Sequence, residues 1–515
     1  MDSQQKPIDR LLGKLSFMNR GMAPYLFFAA VFFLVNALID PLTDGFIMSS
    51  FRILVLIGVV CIIALGFYLW AEGRLTYERA AMLVMLVGVL MRIGYSFYTS
   101  MYTRQHDVGY PDGSGHWAHI VFFANNLGLP DTNHDQFYHP PLHHMLAGWW
   151  FWFNERILQM EMYRNFESVQ YLTAIFSSCA MMVSHRIFKQ LKLKGPFLLA
   201  ATSIVALHPT LFILGGSINN DMLAALLYLA AFLRLLHWWE EQSAKNTALL
   251  ALCVGLGMMA KLNDATLAFV IAPFFLIKLF GRSETSKGRL ILSFLLFGVI
   301  AIPLGMWQPI RNLLLFEQPL GYVKLMEYGS DIDRSAYSVF ERVFSVSFSQ
   351  LFERLYPDPK IDYNLPVYVL KTSLFGEWYY NADMASTAIV LLALNVLLTV
   401  ASLVAMVFTL VKVSGFEYEK EISEGEGNRA GYWMLFLMWL VQMVSFVAFY
   451  ITLPFSCSMD FRYIVPTIVC GAGFIFFSAQ WLSNRRPKTW ARVRRVVFVP
   501  TALFCLFSVF FFTCM

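Results

Sequence analysis

The part of the sequence best suited to chemistry is a stretch rich in histidines and carboxylates between His106 and His144. Seven of the ten histidines lie in this stretch. It also contains Asp107 and Asp112, and a carboxylate within about 3 Å of a hydroxyl group can act as its general base. Pro111-Asp112-Gly113 is an ordinary turn sequence, so Asp112 also has a purely structural explanation.

The spacing of four histidines would suit a metal ion. His116 and His119 are three residues apart, and His139 and His143 are four apart, so each pair can share one face of a helix. Neither pair belongs to a His-Glu-x-x-His motif, and no glutamate base has the required spacing. A metal-dependent membrane enzyme that uses these four histidines is therefore an alternative function.

Short polar segments elsewhere in the chain offer further charges, and each has a structural explanation beside the functional one. Asp221 suits a helix N-cap, and Lys261 can pair with Asp264. Arg462 can pair with Asp460 or extend its charge toward the membrane surface. Cations at such positions can instead stabilise a phosphate group, which arginine binds in a bidentate manner. The segments are residues 215–221, 261–264 and 456–462.

The elements that must position these residues are membrane helices. Hydrophobic residues make up 58% of the 515 residues and charged residues 14%. Soluble domains are about half apolar and about a quarter charged, so a soluble enzyme is disfavoured. The aromatic content of 16% argues against disorder, and the small, dispersed net charge of +5 argues against nucleic-acid binding. The seven cysteines have no paired spacing, which supports neither a disulfide framework nor a zinc knuckle.

Thirteen segments are apolar over the roughly 20 residues that a membrane helix needs. A further segment, 141–158, is short and rich in tryptophan, and we expect it to lie at the interface or to re-enter the membrane. With this assignment the four most basic regions all fall on the cytoplasmic side, the N-terminus lies inside and the C-terminus outside. The thirteen spans begin near Pro24, Phe51, Arg79, Phe166, Gly195, Asp221, Asn246, Asp264, Arg289, Met384, Tyr432, Phe461 and Val496.

This topology predicts an all-α polytopic membrane protein with two long outer loops, 99–140 and 308–383. Loops of this length are uncommon unless they are functional. Within the first loop, residues 115–126 are predicted to form a short amphipathic helix, with Trp117, Ile120, Val121 and Ala124 on one face. We divide the chain into an N-terminal two-helix segment (1–78), a membrane module that includes the first outer loop (79–307), the second outer loop (308–383) and C-terminal membrane helices (384–515).

Several motifs, taken in their order along the chain, resemble a known family. An acidic residue follows the helix that enters the first outer loop, a Gly-His pair begins a juxtamembrane helix, and a Tyr-His-Pro-Pro-Leu segment ends the loop. The chain resembles membrane glycosyltransferases of the GT-C superfamily, especially the bacterial relatives of protein mannosyltransferases and aminoarabinose transferases (families 39 and 83). The matching residues are Asp107, Gly115-His116, Tyr138-His139-Pro140-Pro141-Leu142, Asn219-Asn220-Asp221, Trp307, Arg311-Asn312 and Asp460-Phe461-Arg462-Tyr463.

The resemblance covers most of the chain from about Arg79 onward, with two departures. Two predicted spans precede the usual first helix, and the acidic residue Asp107 has no neighbouring glutamate. The aminoarabinose enzymes also carry a lysine where His139 stands. The resemblance implies a GT-C-like fold whose membrane module, 79–307, carries the catalytic site. It further implies transfer of a sugar, with inversion, from a polyprenyl-phosphate donor to an acceptor hydroxyl on the outer face of a bacterial plasma membrane.

The resemblance also implies roles for particular residues. Asp107 would be the general base. The acceptor would be a protein, a lipid or a glycan within the membrane environment, with no nucleic acid involved. No cofactor is expected, although a divalent metal would suit the histidine alternative. The donor phosphate would be bound by Arg311, Arg462, Lys261 and His139, and the sugar or acceptor by Asp112, His116, Tyr138 and Asp221.

A transporter is the third function compatible with the hydropathy. Internal repeats and helices broken near the membrane midplane are typical of transporters. The sequence has no two halves with matching segments, and its charges cluster at one predicted face. The sequence therefore favours a transferase over a transporter.

Overall fold

The computed structural model describes residues 21–39, 48–109, 113–131, 134–281, 285–324, 326–346, 348–413 and 429–514. Within these ranges the chain is helical and has no β-strand, and a single isolated bridge joins Asp333 to Phe455. The predicted all-α class is therefore confirmed. Asp112, one of the candidate binding residues, lies outside the described residues.

The α-helices follow one another with short connections except in the two predicted outer loops. In chain order they are α1 (Ala23–Leu34), α2 (Met48–Ala71), α3 (Tyr77–Tyr98), α4 (Gly115–Asn126), α5 (Leu142–Arg156), α6 (Met162–Gln190), α7 (Gly195–Ala206), α8 (Pro209–Ile213), α9 (Asp221–Glu240), α10 (Ala244–Ala260), α11 (Leu267–Phe280), α12 (Lys287–Phe316), α13 (Val339–Val343), α14 (Phe348–Glu353), α15 (Leu365–Phe375), α16 (Ala385–Phe408), α17 (Arg429–Thr452), α18 (Thr467–Arg485) and α19 (Pro487–Cys514).

Membrane-crossing helices dominate the described part of the chain. Eight helices there are long and apolar enough to cross a membrane, and two bent helix pairs would raise the number to ten. An α-helix or a 3-10 turn begins within five residues of twelve of the thirteen predicted span starts, whereas α19 begins at Pro487, nine residues before the predicted start at Val496. The number thirteen stays a prediction, because α1 and α10 are short for a span and α6 is too polar to be recognised from composition. Helix α5 is not among the apolar spans.

The first outer loop contains the short helix that the sequence predicts. Helix α4 has the predicted bounds, and Trp117, Ile120 and Ala124 are buried while Val121 is partly buried. This apolar face packs against α5, which follows the Pro140-Pro141 pair. The two helices therefore pack against each other as a pair, and α5 also contacts α6.

The second outer loop begins later than predicted. Helix α12 continues to Phe316, past the predicted loop start at residue 308, because Pro303 and Pro309 are both accommodated inside the helix. The loop is fixed to the end of α17: Arg334 N donates to Pro454 O over 2.7 Å, and Ser456 N donates to Ile332 O over 2.9 Å. These bonds hold the loop against the same end of the helix bundle as the first outer loop.

A buried arginine explains how one broken helix is tolerated. Helices α7 and α8 meet at a bend of 51°, where His208 adopts an extended conformation before Pro209. The Arg92 guanidinium of α3 donates to the carbonyl of Ala206 at the end of α7 over 3.1 Å and to Ser177 Oγ over 2.8 Å. Arg92 is fully buried, so these partners replace part of the water that such a charge would otherwise need, while its Nη2 has no hydrogen-bond partner within the described part of the chain.

We expect the Arg92→Met substitution to destabilise the protein. The thioether cannot donate to the Ala206 carbonyl or to Ser177, and each buried polar group left without a partner costs about 1–3 kcal/mol. Thermal unfolding of the purified protein in detergent would measure the loss. The matched control is Arg492→Met at an exposed position of α19, which should leave the midpoint unchanged. Equal midpoints for both variants would contradict this role of Arg92.

Candidate active site

A cavity of about 420 Å³ lies where the first outer loop meets the ends of α9, α10, α12 and α17. Its floor is polar and comes from several segments that are distant in sequence. One side is apolar and comes from Phe446 and Phe449 of α17, and a segment of the second outer loop, residues 318–323, contributes a further wall. The sequence-predicted residues that line it are Asp107, His116, Tyr138, His139, Asp221, Lys261 and Arg462.

The backbone around Asp107 is fixed by the start of α4. Asp107 has a φ of 51°, a left-handed conformation that few residues other than glycine adopt. Its carbonyl accepts a hydrogen bond of 2.9 Å from His116 N, and the carbonyl of Val108 accepts one of 3.0 Å from Trp117 N. The loop thus satisfies two N–H groups at the N-terminus of α4, and this pairing holds Asp107 at the cavity.

Two glycines allow this close approach of loop and helix. A Cβ atom on Gly115 would lie 2.3 Å from Gly109 N, and one on Gly109 would lie 2.1 Å from Ser114 O. Both glycines have a positive φ, of 70° and 63° respectively for Gly109 and Gly115. The Gly-His pair of the sequence motif is therefore explained by backbone contact, because only glycine fits where the two segments touch.

Four charged side chains form a connected network in the cavity. Arg462 Nη2 lies 3.4 Å from Asp107 Oδ2, and Arg462 Nη1 lies 3.7 Å from Asp221 Oδ2. Lys261 Nζ pairs with Asp221 Oδ1. The Asp107 side chain is 42% exposed, whereas the Asp221 side chain is only 3% exposed. The network therefore presents one accessible carboxylate in front of a buried carboxylate and two cations.

Local hydrogen bonds bring the buried members of this network together. Asp221 begins α9, and Asn220 Nδ2 donates to Ala260 O over 2.8 Å, which joins the start of α9 to the end of α10. Lys261 follows that end directly. Arg462 N donates to Asp460 Oδ1 over 2.8 Å, which fixes the turn that carries the guanidinium.

The segment that ends the first outer loop forms the opposite wall. Gln308 Nε2 of α12 donates to the carbonyls of Tyr138 and His139, over 3.1 Å and 3.4 Å. Burial, and after it the nearby Lys261, lowers the pKa of His139 to about 4, so its imidazole is neutral at neutral pH. Burial also raises the pKa of the Tyr138 hydroxyl, with a further contribution from Asp107. Both side chains therefore offer uncharged hydrogen-bonding groups to the cavity.

His116, His119 and His144 stack beside this wall, and of these three only His116 lines the cavity. His116 Nδ1 lies 2.8 Å from His144 Nε2, and the rings of His119 and His144 stack with centroids 4.2 Å apart. Burial and neighbouring histidines hold the pKa of His116 well below its usual range. His143 is fully buried, and neither of its ring nitrogens has a hydrogen-bond partner within the described part of the chain. The cluster is therefore a packed group of neutral imidazoles.

Some sequence-predicted residues do not line the cavity. Arg311 Nη2 donates to Pro130 O over 2.6 Å, and the guanidinium lies over the Phe316 ring. His119 and His143 are buried away from the cavity surface. Among the described residues, the group of metal-capable side chains that comes together is not the predicted histidine set but His106, Glu377 and Asp460.

The sequence also leaves several lining residues unassigned. Gln308 lies at the predicted start of the second outer loop, and only the continuation of α12 brings its amide to the cavity. The ring centroid of Tyr463 is 4.5 Å from Lys261 Nζ. Tyr463 directly follows Arg462 in the sequence, and this position beside a candidate phosphate-binding residue could have indicated that it lines the site. Tyr322 meets Tyr138 with ring centroids 5.5 Å apart, a contact between two loops that no local pattern indicates.

Comparison with known proteins gives only distant likenesses. No family model and no curated protein matches the chain. The structure is similar to the oligosaccharyltransferase of Archaeoglobus fulgidus in the apo form, with 12% identity, a TM-score of 0.43, and coverage of 83% of this chain and 56% of that one. The archaeal enzyme AglB of the same organism, in complex with an inhibitory peptide and a dolichol-phosphate, gives 11% identity and a TM-score of 0.42, over 84% and 56%.

A further likeness is to ArnT from Cupriavidus metallidurans in the apo state, with 13% identity, a TM-score of 0.35, and coverage of 84% of this chain and 80% of that one. The chain spans little more than half the length of the archaeal enzyme, 56% of it. At these scores and identities, the likenesses carry no weight in the functional assignment. That assignment rests on the residues of the cavity.

We expect the buried histidines to make the protein less stable in acid. Burial lowers the pKa of His143 to about 3, whereas an unfolded chain takes up this proton near the usual 6.5. The unfolded state therefore binds more protons below that pH, and the free energy of unfolding falls as the pH drops. Thermal unfolding in detergent between neutral pH and moderately acidic pH would measure this.

The variant His143→Leu removes one group that takes up a proton on unfolding, so the unfolding midpoint should depend less steeply on pH. The matched control is His134→Gln, at a histidine whose ring nitrogen lies 2.7 Å from Gly113 O in an exposed part of the first outer loop. The control should keep the wild-type slope. An unchanged slope in His143→Leu would show that this histidine does not contribute.

Proposed function

We propose that the protein transfers a sugar from a polyprenyl-phosphate-linked donor to an acceptor hydroxyl at the outer face of the membrane. One observation carries this proposal: an accessible carboxylate, Asp107, lies 3.4 Å from the buried guanidinium of Arg462 within one cavity. A base for an acceptor and a cation for a leaving phosphate are the two groups that this reaction requires. Asp221 and Lys261 complete the arrangement behind them.

The position of the cavity suits a donor with a lipid tail. Three of the helices that reach it, α9, α12 and α17, are candidate membrane spans. Phe446 and Phe449 give one side an apolar surface, whereas the charged network occupies the floor. A polyprenyl chain can remain in the bilayer while its phosphate reaches the two cations and its sugar reaches the polar side chains.

In the proposed reaction, the acceptor oxygen attacks the anomeric carbon while Asp107 takes the hydroxyl proton. The bond between that carbon and the phosphate oxygen breaks, and its electron pair stays on the phosphate. The leaving polyprenyl phosphate thereby gains a negative charge, which Arg462 and Lys261 stabilise. Attack opposite the departing phosphate inverts the anomeric configuration. Both the inversion and the role of Asp107 are part of the proposal.

The remaining residues are proposed to position the substrates. Asp221 keeps Lys261 and Arg462 directed into the cavity, because it pairs with both. His116, Tyr138 and His139 present uncharged hydrogen-bonding groups, as sugar hydroxyls require. Arg311 is left out of the phosphate site, because its guanidinium is engaged by Pro130 and Phe316. The sugar itself, hexose or pentose, is not assigned by these contacts.

The Asp107→Asn substitution is expected to abolish most turnover. The amide cannot take the acceptor proton, and loss of a general base slows such reactions by about 100- to 10,000-fold. Transfer of radiolabelled sugar from polyprenyl-phosphate hexose and pentose donors to isolated membranes would measure the rate. Asp131→Asn, at an exposed carboxylate of the same loop, is the matched control. Normal turnover by Asp107→Asn would show that another residue is the general base, and Asp112→Asn would then be the next variant to test.

The Arg462→Gln and Lys261→Met substitutions are expected to weaken donor binding. Each removes a charged hydrogen bond to the phosphate, worth about 1.5–3 kcal/mol, which corresponds to about 10- to 100-fold in affinity. Binding of a polyprenyl-phosphate sugar to purified protein would measure this directly. Arg311→Gln is the matched control, because that guanidinium does not line the cavity, and it should bind normally. Wild-type affinity in both test variants would remove these cations from the phosphate site.

A further inference from the structure

Three side chains from distant segments converge behind the cavity. His106 belongs to the first outer loop, Glu377 follows α15, and Asp460 precedes the turn of Arg462. His106 Nδ1 lies 3.2 Å from Glu377 Oε2, and His106 Nε2 lies 3.4 Å from Asp460 Oδ2. One ligating atom from each residue can be chosen so that all lie within 4.8 Å of one another. None of the three lines the cavity, so this group is distinct from the proposed active site.

Each carboxylate has one oxygen fixed by the protein and one directed at this group. Tyr368 OH donates to Glu377 Oε1 over 2.7 Å, and Arg462 N donates to Asp460 Oδ1 over 2.8 Å. The second oxygen of Asp460 is buried and has no hydrogen-bond partner within the described part of the chain. Carboxylates held in this way, with a free oxygen turned inward, are typical of metal ligands supported by surrounding hydrogen bonds.

The two contacts of His106 come from its two different ring nitrogens, so one ion would take only one of these nitrogens as a ligand. Charge-assisted hydrogen bonds between nitrogen and carboxylate oxygen are about 2.7–2.9 Å long, shorter than both contacts of His106. Ligand atoms at about 2.0–2.2 Å from a tetrahedral zinc ion lie about 3.3–3.6 Å from each other. The 3.4 Å between His106 Nε2 and Asp460 Oδ2 is therefore close to the spacing of two ligands of one ion, and a carboxylate oxygen of Glu377 would be the third ligand.

The charges of the group also call for a divalent cation. The side chains of His106 and Asp460 are only 4% and 3% exposed, and that of Glu377 is 12% exposed. The nearby Arg462 is paired with Asp107 and Asp221, so two carboxylates and one imidazolium leave one net negative charge within the group, which is costly in this buried place. A divalent ion with a neutral imidazole would balance both carboxylates. One nitrogen and two oxygen ligands suit zinc among the common divalent ions.

We propose that His106, Glu377 and Asp460 bind a divalent transition-metal ion, zinc by the nature of the ligands. The ion holds together the first outer loop, the end of the second outer loop and the turn that carries Arg462. Because His106 directly precedes Asp107, the ion also fixes the neighbour of a residue whose backbone is in the left-handed region. It is a structural site, and it stands independently of the proposed glycosyl transfer.

Metal analysis of the purified protein tests this assignment. The protein is stripped with a chelator, reloaded with zinc chloride alone and analysed by mass spectrometry of its metal content. We expect about one zinc per chain in the wild type, and background zinc in Asp460→Asn and Glu377→Gln. Asp107→Asn and His116→Gln are controls for the cavity and for the histidine cluster, and both should retain the ion. Asp331→Asn, an exposed carboxylate of the second outer loop, should also retain it.

Thermal unfolding supplies a readout that does not depend on activity. Zinc should raise the unfolding midpoint of the stripped wild type but not that of Asp460→Asn or Glu377→Gln, and two separate variants guard against misfolding of either one. Absence of bound zinc and of any zinc-dependent stabilisation in the wild type would overturn the proposal. Loss of zinc in Asp107→Asn with full retention in Asp460→Asn would also overturn it, because the ion would then belong to the cavity.

Discussion

The guanidinium of Arg462 is the group on which the cavity depends, because it lies between two carboxylates from different parts of the chain. Asp107 belongs to an outer loop and Asp221 to the start of a membrane helix, and without a cation the two would repel each other. A buried carboxylate such as Asp221 is tolerated only when it is paired, and Lys261 provides its second partner. The first outer loop, α9, the end of α10 and the turn before α18 therefore have to meet at one point.

Backbone contacts fix the positions of the segments that meet at this point. Loop and helix touch at Gly109 and Gly115, and the N-terminus of α4 donates to the carbonyls of Asp107 and Val108. Gln308 fixes the opposite wall by donating to the backbone carbonyls of Tyr138 and His139, and these contacts do not depend on the side chains of those two residues. The main chain thus determines where Asp107, Tyr138 and His139 stand, and these backbone contacts do not use their side-chain polar groups.

Local patterns in the sequence account for the elements whose causes are local. The glycine break and the apolar spacing after it predict α4 with its correct ends, and the topology puts Asp107 and Arg462 on one side of the membrane. Arg311 was predicted at the same site, but α12 continues past residue 308 and carries that guanidinium toward Pro130 instead. No local sequence pattern indicates a role for Glu377. Its proposed role depends on its proximity to His106 and Asp460, and only the tertiary fold brings these three residues together. The number of membrane spans does not follow from the sequence either, because short and bent helices do not obey a simple length rule.

The wall formed by residues 318–323 stands apart from the charged floor of the cavity. It comes from a connection between helices, where insertions and exchanges of residues are tolerated far better than inside a membrane span. Changes in this connection would alter the size of the cavity while leaving Asp107, Arg462 and Lys261 untouched. Two chains that differ only here would therefore admit different molecules and still share the same charged network.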